Sequence, residues 1–291
     1  MAGLGAERGA AGFGNRPNGA GVRSRIFAIA NQKGGVGKTT TTINLAASLA
    51  LGDQAVLVVD MDPQGNLTSG VGQKGNHAPA GTIYEALTSE STPVALDYIV
   101  PTCVSGLSLL PADHNLTGAE IELVSATRRE QRLRLLLEQV RGRFDYILVD
   151  TPPSLGLLTL NTLVAADGVI IPVVCEYFAL EGLAALTATL HQVKEAFNRN
   201  LEIAGVVLTM TDLRTNLGKE VAAEVQGVFG NKVFETPIPR NIRLGEAPGH
   251  GLPVILYDVR SKGAEAYLAL AREFLACTRA APLPAGGPLR G

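Results

Sequence analysis

Eight consecutive residues, Lys33-Gly34-Gly35-Val36-Gly37-Lys38-Thr39-Thr40, carry the clearest chemistry in this sequence. Glycines so closely spaced let the chain turn with its backbone N–H groups converging on one point, a receptor for phosphate oxygens. Lys38 adds a cation for β- and γ-phosphates, and the Thr39 hydroxyl suits Mg2+. The pattern points to ATP or a close relative, held with Mg2+. Two acidic residues stand where they would complete such a site. Asp150 closes the apolar run 146–149, and Asp62 follows a second apolar run that ends at Asp60. Carboxylates at strand ends open onto the same crevice as a phosphate loop, and Asp150 would reach Mg2+ through water. Either alone reads as a solvated turn former; the two together with the loop are much harder to dismiss.

Such a site needs a strand in front of the loop and a helix behind it. Residues 26–30 form a short apolar run, and 39–51 place Ile43, Ala46, Ala47 and Ala50 on one helical face before Gly52. A second strand follows at 55–60. The polar, glycine-containing stretch 62–75 reads as a mobile loop. Beyond it the sequence predicts a short helix at 82–87, a strand at 107–110, and a helix over 130–140 with Leu133, Leu136, Leu137 and Val140 on its buried face. Residues 146–149 form a central strand stopped by Pro152-Pro153, with a helix at 155–165 and a strand at 168–174 after it. Leu180, Leu183, Leu186, Leu190, Val193 and Phe197 mark a long amphipathic helix. A strand at 203–208 and a helix at 217–229 come next. Pro237 and Pro239 exclude a regular helix over 233–243, and the last helix spans 261–277 with Ser261 as N-cap. This alternation predicts an α/β protein of three layers, a mostly parallel central sheet with helices on both faces.

The 291 residues are 46% hydrophobic and 18% charged with 33 glycines, which suits a globular core of this kind. No internal repeat or strong linker divides the chain. One domain is expected over residues 25–277, between a disordered Gly/Ala-rich tail (1–24) and a flexible Pro/Gly tail (278–291). A formal net charge of −2 excludes general attraction to polyanions, and the absence of tryptophan argues against a stacking platform for single strands. Cys103, Cys175 and Cys277 are odd in number and scattered, which fits a reducing cytosol. No apolar stretch has the length of a membrane span.

The loop departs from the common phosphate-loop pattern in one respect: Gln32 stands where a glycine is usual, and Lys33 is additional. In this the sequence resembles the deviant Walker A ATPases, specifically the ParA/Soj branch of the ParA/MinD superfamily, over roughly residues 24–277. The resemblance implies a P-loop NTPase fold and Mg-dependent ATP hydrolysis. It implies that Lys33 reaches the phosphates held by the other subunit of a homodimer formed in the ATP state. By the same resemblance Asp60-Met61-Asp62-Pro63-Gln64-Gly65-Asn66 is a first switch, in which Asp62 orients the attacking water and contacts the metal's water shell while Asp60 supports the loop. Residues 150–156 form a second switch.

The base is expected against Met210, Pro237, Ile238 and Pro239, which resemble the family's adenine-binding edge. The two prolines offer rigid apolar surface, although composition alone fits a proline-bounded turn equally well. The resemblance further implies that Arg214 and Arg243, with contributions from Arg240 and Lys232, face non-specific double-stranded DNA. Arginine suits phosphate backbones, and a dimer doubles a patch too weak in one copy. Asp212, Glu220, Glu224 and Glu235 leave an ordinary solvated charged face as the alternative. The implied function is segregation of a chromosome or plasmid with a ParB/Spo0J-like centromere-binding partner, cytoplasmic and nucleoid-associated. A cargo-positioning ATPase that rides the nucleoid shares the same biochemistry. A MinD-like membrane protein would need a basic amphipathic terminal helix, which the Pro/Gly-rich end cannot supply.

Overall fold

The computed structural model describes residues 24–176, 179–212 and 214–280, so residues 1–23 of the expected tail 1–24 and residues 281–291 of the expected tail 278–291 lie outside the described residues. Among the described residues, seven strands and eleven α-helices follow one another. They are β1 (Arg25–Ile29), α1 (Lys38–Leu51), β2 (Val56–Asp60), α2 (Asn66–Gly70), α3 (Ile83–Thr88), β3 (Val100–Pro101), β4 (Leu107–Leu110), α4 (Leu116–Glu122) and α5 (Arg132–Glu138), then β5 (Tyr146–Asp150), α6 (Leu157–Ala165), β6 (Gly168–Val174), α7 (Ala179–Ala196), β7 (Glu202–Thr209), α8 (Asn216–Phe229), α9 (Ile242–Glu246), α10 (Val254–Tyr257) and α11 (Lys262–Ala280).

The strands form one sheet in the order β3-β4-β2-β5-β1-β6-β7, parallel except for the edge pairing of β3 with β4. A sheet covered on both faces must bury both side-chain rows of each strand. Accordingly β1 alternates, with Ile26 and Ala28 in one core and Phe27 and Ile29 in the other. The first core is closed by α5, α6, α7 and α8 through residues such as Leu136, Leu163, Leu186 and Val225; the second is closed by α1 and α11 through Leu45, Tyr267 and Phe274. The chain leaves β1 toward β2 on one side, yet leaves the adjacent β5 toward β6 on the other. That reversal opens a crevice beyond the carboxyl ends of β1 and β5, where open α/β sheets bind ligands.

Several expectations are corrected. The stretch 62–75 is not a mobile loop: it contains α2, whose Leu67, Thr68 and Gly70 are buried. Its polar composition conceals the reason, which is a tertiary anchor of Thr68 on the buried Asp60. Helix α6 begins at Leu157 rather than 155 because Gly156 is extended, and α5 is confined to Arg132–Glu138 after a single 3-10 turn. The last helix continues to Ala280, three residues past the expected boundary, with Ser261 Oγ accepting the N–H of Ala264 at 3.2 Å as its cap.

One glycine controls how the segment after α8 lies on the sheet. A Cβ on Gly205 of β7 would fall 2.2 Å from the Phe234 ring, itself nearly buried, while Phe234 N–H donates to Val206 O at 2.9 Å. Overpacking of this kind costs about 1–3 kcal/mol. Gly205→Ala is therefore expected to lower the urea midpoint without changing the m-value; an unchanged midpoint would show that Phe234 moves freely.

Candidate nucleotide and DNA site

Residues 30–37 bridge β1 and α1 with Gly35 and Gly37 in the left-handed region, φ +74° and +86°. No neighbour would obstruct a Cβ at Gly35, so the conformation, not crowding, calls for glycine there. Gly37 serves as N-cap of α1, with no side-chain cap and no acidic residue in the first turn. The orphan N–H groups at this helix start, and the positive end of its dipole, are left to an external anion. Two contacts that the motif did not disclose fix the loop. Asn31 Oδ1 accepts the N–H of Lys33 at 3.0 Å while its amide donates to Pro172 O at 2.8 Å. At the far side Thr209 Oγ1, at the end of β7, donates to Val36 O at 2.8 Å.

Lys38 is 7% exposed, and its ammonium donates to Lys33 O at 3.3 Å. Burial holds its pKa below the ordinary lysine value, while Asp150 and Asp62 pull the other way. Thr39 Oγ1 donates to Asp150 Oδ2 at 2.7 Å, and the Thr42 hydroxyl reaches Asp150 Oδ1 at 3.2 Å. Asp150 lies directly across the β2/β5 pairing from Asp60, and both are fully buried. Burial, reinforced by the neighbouring carboxylates, pushes Asp150 up to about 8; Asp60 is pushed up to about 6 chiefly by burial, against the hydrogen bonds from Thr68 and Asp62. Asp62 is 8% exposed and accepts the N–H of Gln64 at 3.0 Å.

One buried ammonium thus faces an excess of carboxylate, which suits a divalent cation. The donors present, the Thr39 hydroxyl and the Asp150 and Asp62 carboxyls, fit Mg2+, which takes one or two carboxylates and completes its shell with water and phosphates. Thr39, Asp150 and, through water, Asp62 are the groups that would hold it.

Beside the loop, Met210 adopts φ +49°, and its methyl end lies 3.9 Å from where a Cβ on Gly37 would be. The segment carrying Pro237 and Pro239 runs along β7: Ile238 N–H donates to Leu208 O at 2.8 Å and Thr211 N–H to Ile238 O at 3.0 Å. Met210, Pro237 and Pro239 are half-buried there. Ile238 points the other way, 2% exposed in the core beneath α1 and α11, so its side chain offers a base nothing. The alternation of an extended strand accounts for this.

The basic residues fall into two places. Arg214 projects 90% exposed beside β7's carboxyl end, paired through Nε and Nη2 with Asp212 at 2.8 Å each. Arg240 is near it, its N–H 3.4 Å from Thr211 O. Arg243, on α9, is half-exposed and holds Glu246 at 2.7 Å and Asp258 at 3.3 Å. Lys232 is not brought together with them. It precedes Val233, which pairs with Val206, whereas Pro239 pairs with Thr211. Val206 and Thr211 are five residues apart along β7 and its end, so at about 3.3 Å per residue the two pairing points stand roughly 17 Å apart.

A mostly parallel sheet, a glycine loop at its switch point and a Lys–Thr–Asp cluster define a P-loop ATPase. A family model described as an AAA domain matches residues 24–203. The chain is 53% identical over 268 residues to the chromosome partitioning protein ParA of Myxococcus xanthus, covering 92% of this chain and 94% of that one. It is 54% identical over 253 residues to the sporulation initiation inhibitor protein Soj of Bacillus subtilis, covering 87% and 98%. Among solved structures, cobyrinic acid a,c-diamide synthase from Mycobacterium smegmatis, crystallised with an ATP analogue and magnesium, superposes with a TM-score of 0.77 at 35% identity, covering 89% of this chain and 98% of that one. The chain belongs to the ParA/Soj family of chromosome-partitioning P-loop ATPases.

Proposed function

We propose that this protein is an ATP-driven assembly switch. It binds ATP with Mg2+, dimerises, holds double-stranded DNA without sequence preference, and segregates a chromosome or plasmid with a ParB-like centromere-binding partner. The observation that carries this reading is the placement of Lys33. Its ammonium is half-exposed and rests on Glu176, also exposed, at 2.7 Å, with no bond from it to the loop that its own chain builds among the described residues. An amine so placed is available to phosphates held by a second copy.

Within one chain, the loop N–H groups and Lys38 grip the β- and γ-phosphates, and Met210, Pro237 and Pro239 flank the base. Asp62 aligns the attacking water against the γ-phosphorus. Bound Mg2+ would neutralise charge on the transferring phosphoryl group. Asp60, locked to Thr68, holds the Asp62 loop in place. Arg214, Arg240 and Arg243 supply the phosphate-binding surface, which pairing of two chains doubles. No helix among the described residues is long and apolar enough to cross a membrane.

Sizing by light scattering with ATP, ADP and no nucleotide tests the switch. Wild type is expected to dimerise only with ATP and to bind DNA most tightly in that state, with affinity falling steeply as salt rises. Lys33→Ala should still bind nucleotide and stay monomeric. An ATP-dependent dimer of Lys33→Ala would sink the role assigned to that amine.

A further inference from the structure

The Arg243 guanidinium is not free. Its Nη1 donates to Glu246 Oε2 at 2.7 Å, and its Nε lies 3.3 Å from Asp258 Oδ2. Glu246 is itself held, because Tyr257 Oη donates to the same Oε2 at 3.2 Å and the Tyr257 ring stacks on His250 at 5.0 Å. A DNA phosphate approaching Arg243 must therefore compete with two carboxylates that repel it. Arg240, Arg260 and Lys262 are exposed as well, Lys262 being paired with Glu265 at 3.2 Å.

His250 precedes Gly251, whose backbone crosses that of Gly72 so closely that a Cβ on Gly72 would lie 2.9 Å from Gly251 O. Gly72 ends the turn after α2, and α2 is anchored on Asp60 two residues before Asp62. Contact is thus continuous from the loop that carries Asp62 to the side chains that hold Arg243. Exposed ion pairs are weak, so this one can be broken by a modest shift of its frame.

We propose that Glu246 and Asp258 form a releasable clamp on Arg243, closed by the loop after Asp62 in the ADP state and opened in the ATP state, which withholds that arginine from DNA phosphates. The proposal rests on the DNA-binding reading of Arg243 and concerns its control. The test is DNA affinity by fluorescence anisotropy, in ATP and in ADP, for Glu246→Gln/Asp258→Asn, for Arg243→Ala and for the triple variant.

The clamp variant is expected to bind DNA about three- to tenfold more tightly in ADP and less than twofold more tightly in ATP, with basal ATPase and dimerisation unchanged. The gain should vanish when Arg243→Ala is added. Unchanged affinity of the clamp variant, while Arg243→Ala weakens binding, would overturn the clamp and leave the DNA reading standing. A gain that survives Arg243→Ala would overturn it as mere loss of negative charge, and equal gains in both nucleotide states would overturn the nucleotide control. If Arg243→Ala binds DNA like wild type, the DNA reading of that residue falls and the clamp with it.

Discussion

Lys38→Ala is expected to lose ATP affinity by roughly a hundredfold or more. A hydrogen bond to a charged group contributes about 1.5–3 kcal/mol, and each 1.4 kcal/mol is about tenfold in affinity. Lys38 does more than bond. It is the buried cation between Asp150, Asp62 and the phosphate cradle. Without it the triphosphate meets those carboxylates unopposed, so the loss should exceed that of one contact. Calorimetric titration with a non-hydrolysable ATP analogue measures this directly. Affinity within threefold of wild type would mean that the loop N–H groups suffice and that Lys38 was misassigned.

Asp62→Ala should leave that affinity within severalfold and cut turnover by about 10²–10⁴, the usual contribution of a residue that positions or activates water. The alanine also removes an acceptor for the Gln64 N–H, so part of the loss could come from a loosened loop. Asp62→Asn keeps an acceptor there and discards only the charge. Both variants should accumulate an ATP-bound dimer. Single-turnover hydrolysis near the wild-type rate in Asp62→Asn would remove the carboxylate from the chemistry.

The phosphate loop was readable because its chemistry is local: glycines, a lysine and a threonine within eight residues, set between an apolar run and an amphipathic one. The strands were equally plain, since parallel strands covered on both faces must be apolar throughout. Helix α2 was not, because Thr68 earns its place through Asp60, eight residues away, rather than through periodicity. Helix α4 and the two-residue β3 are likewise held by tertiary contacts. Ile238 could have been excluded from the base site by counting: in an extended segment Pro237 and Pro239 share a face and Ile238 has the other. The same counting separates Lys232 from Arg240. Asn31 and Thr209 carried no signal, since an amide and a hydroxyl at strand ends are ordinary until the loop is seen to hang from them.

The Lys33–Glu176 pair bears on how sharply assembly can be tuned. Under the proposed exchange the amine does not pass from water to phosphate; it passes from one anion to another. Its contribution to assembly is a difference between two ion pairs, so added salt weakens both sides and partly cancels. Glu176 is then a rheostat rather than a bystander. A stronger resting partner would hold chains apart, and a weaker one would let them linger together, with no alteration to the cradle that grips the nucleotide.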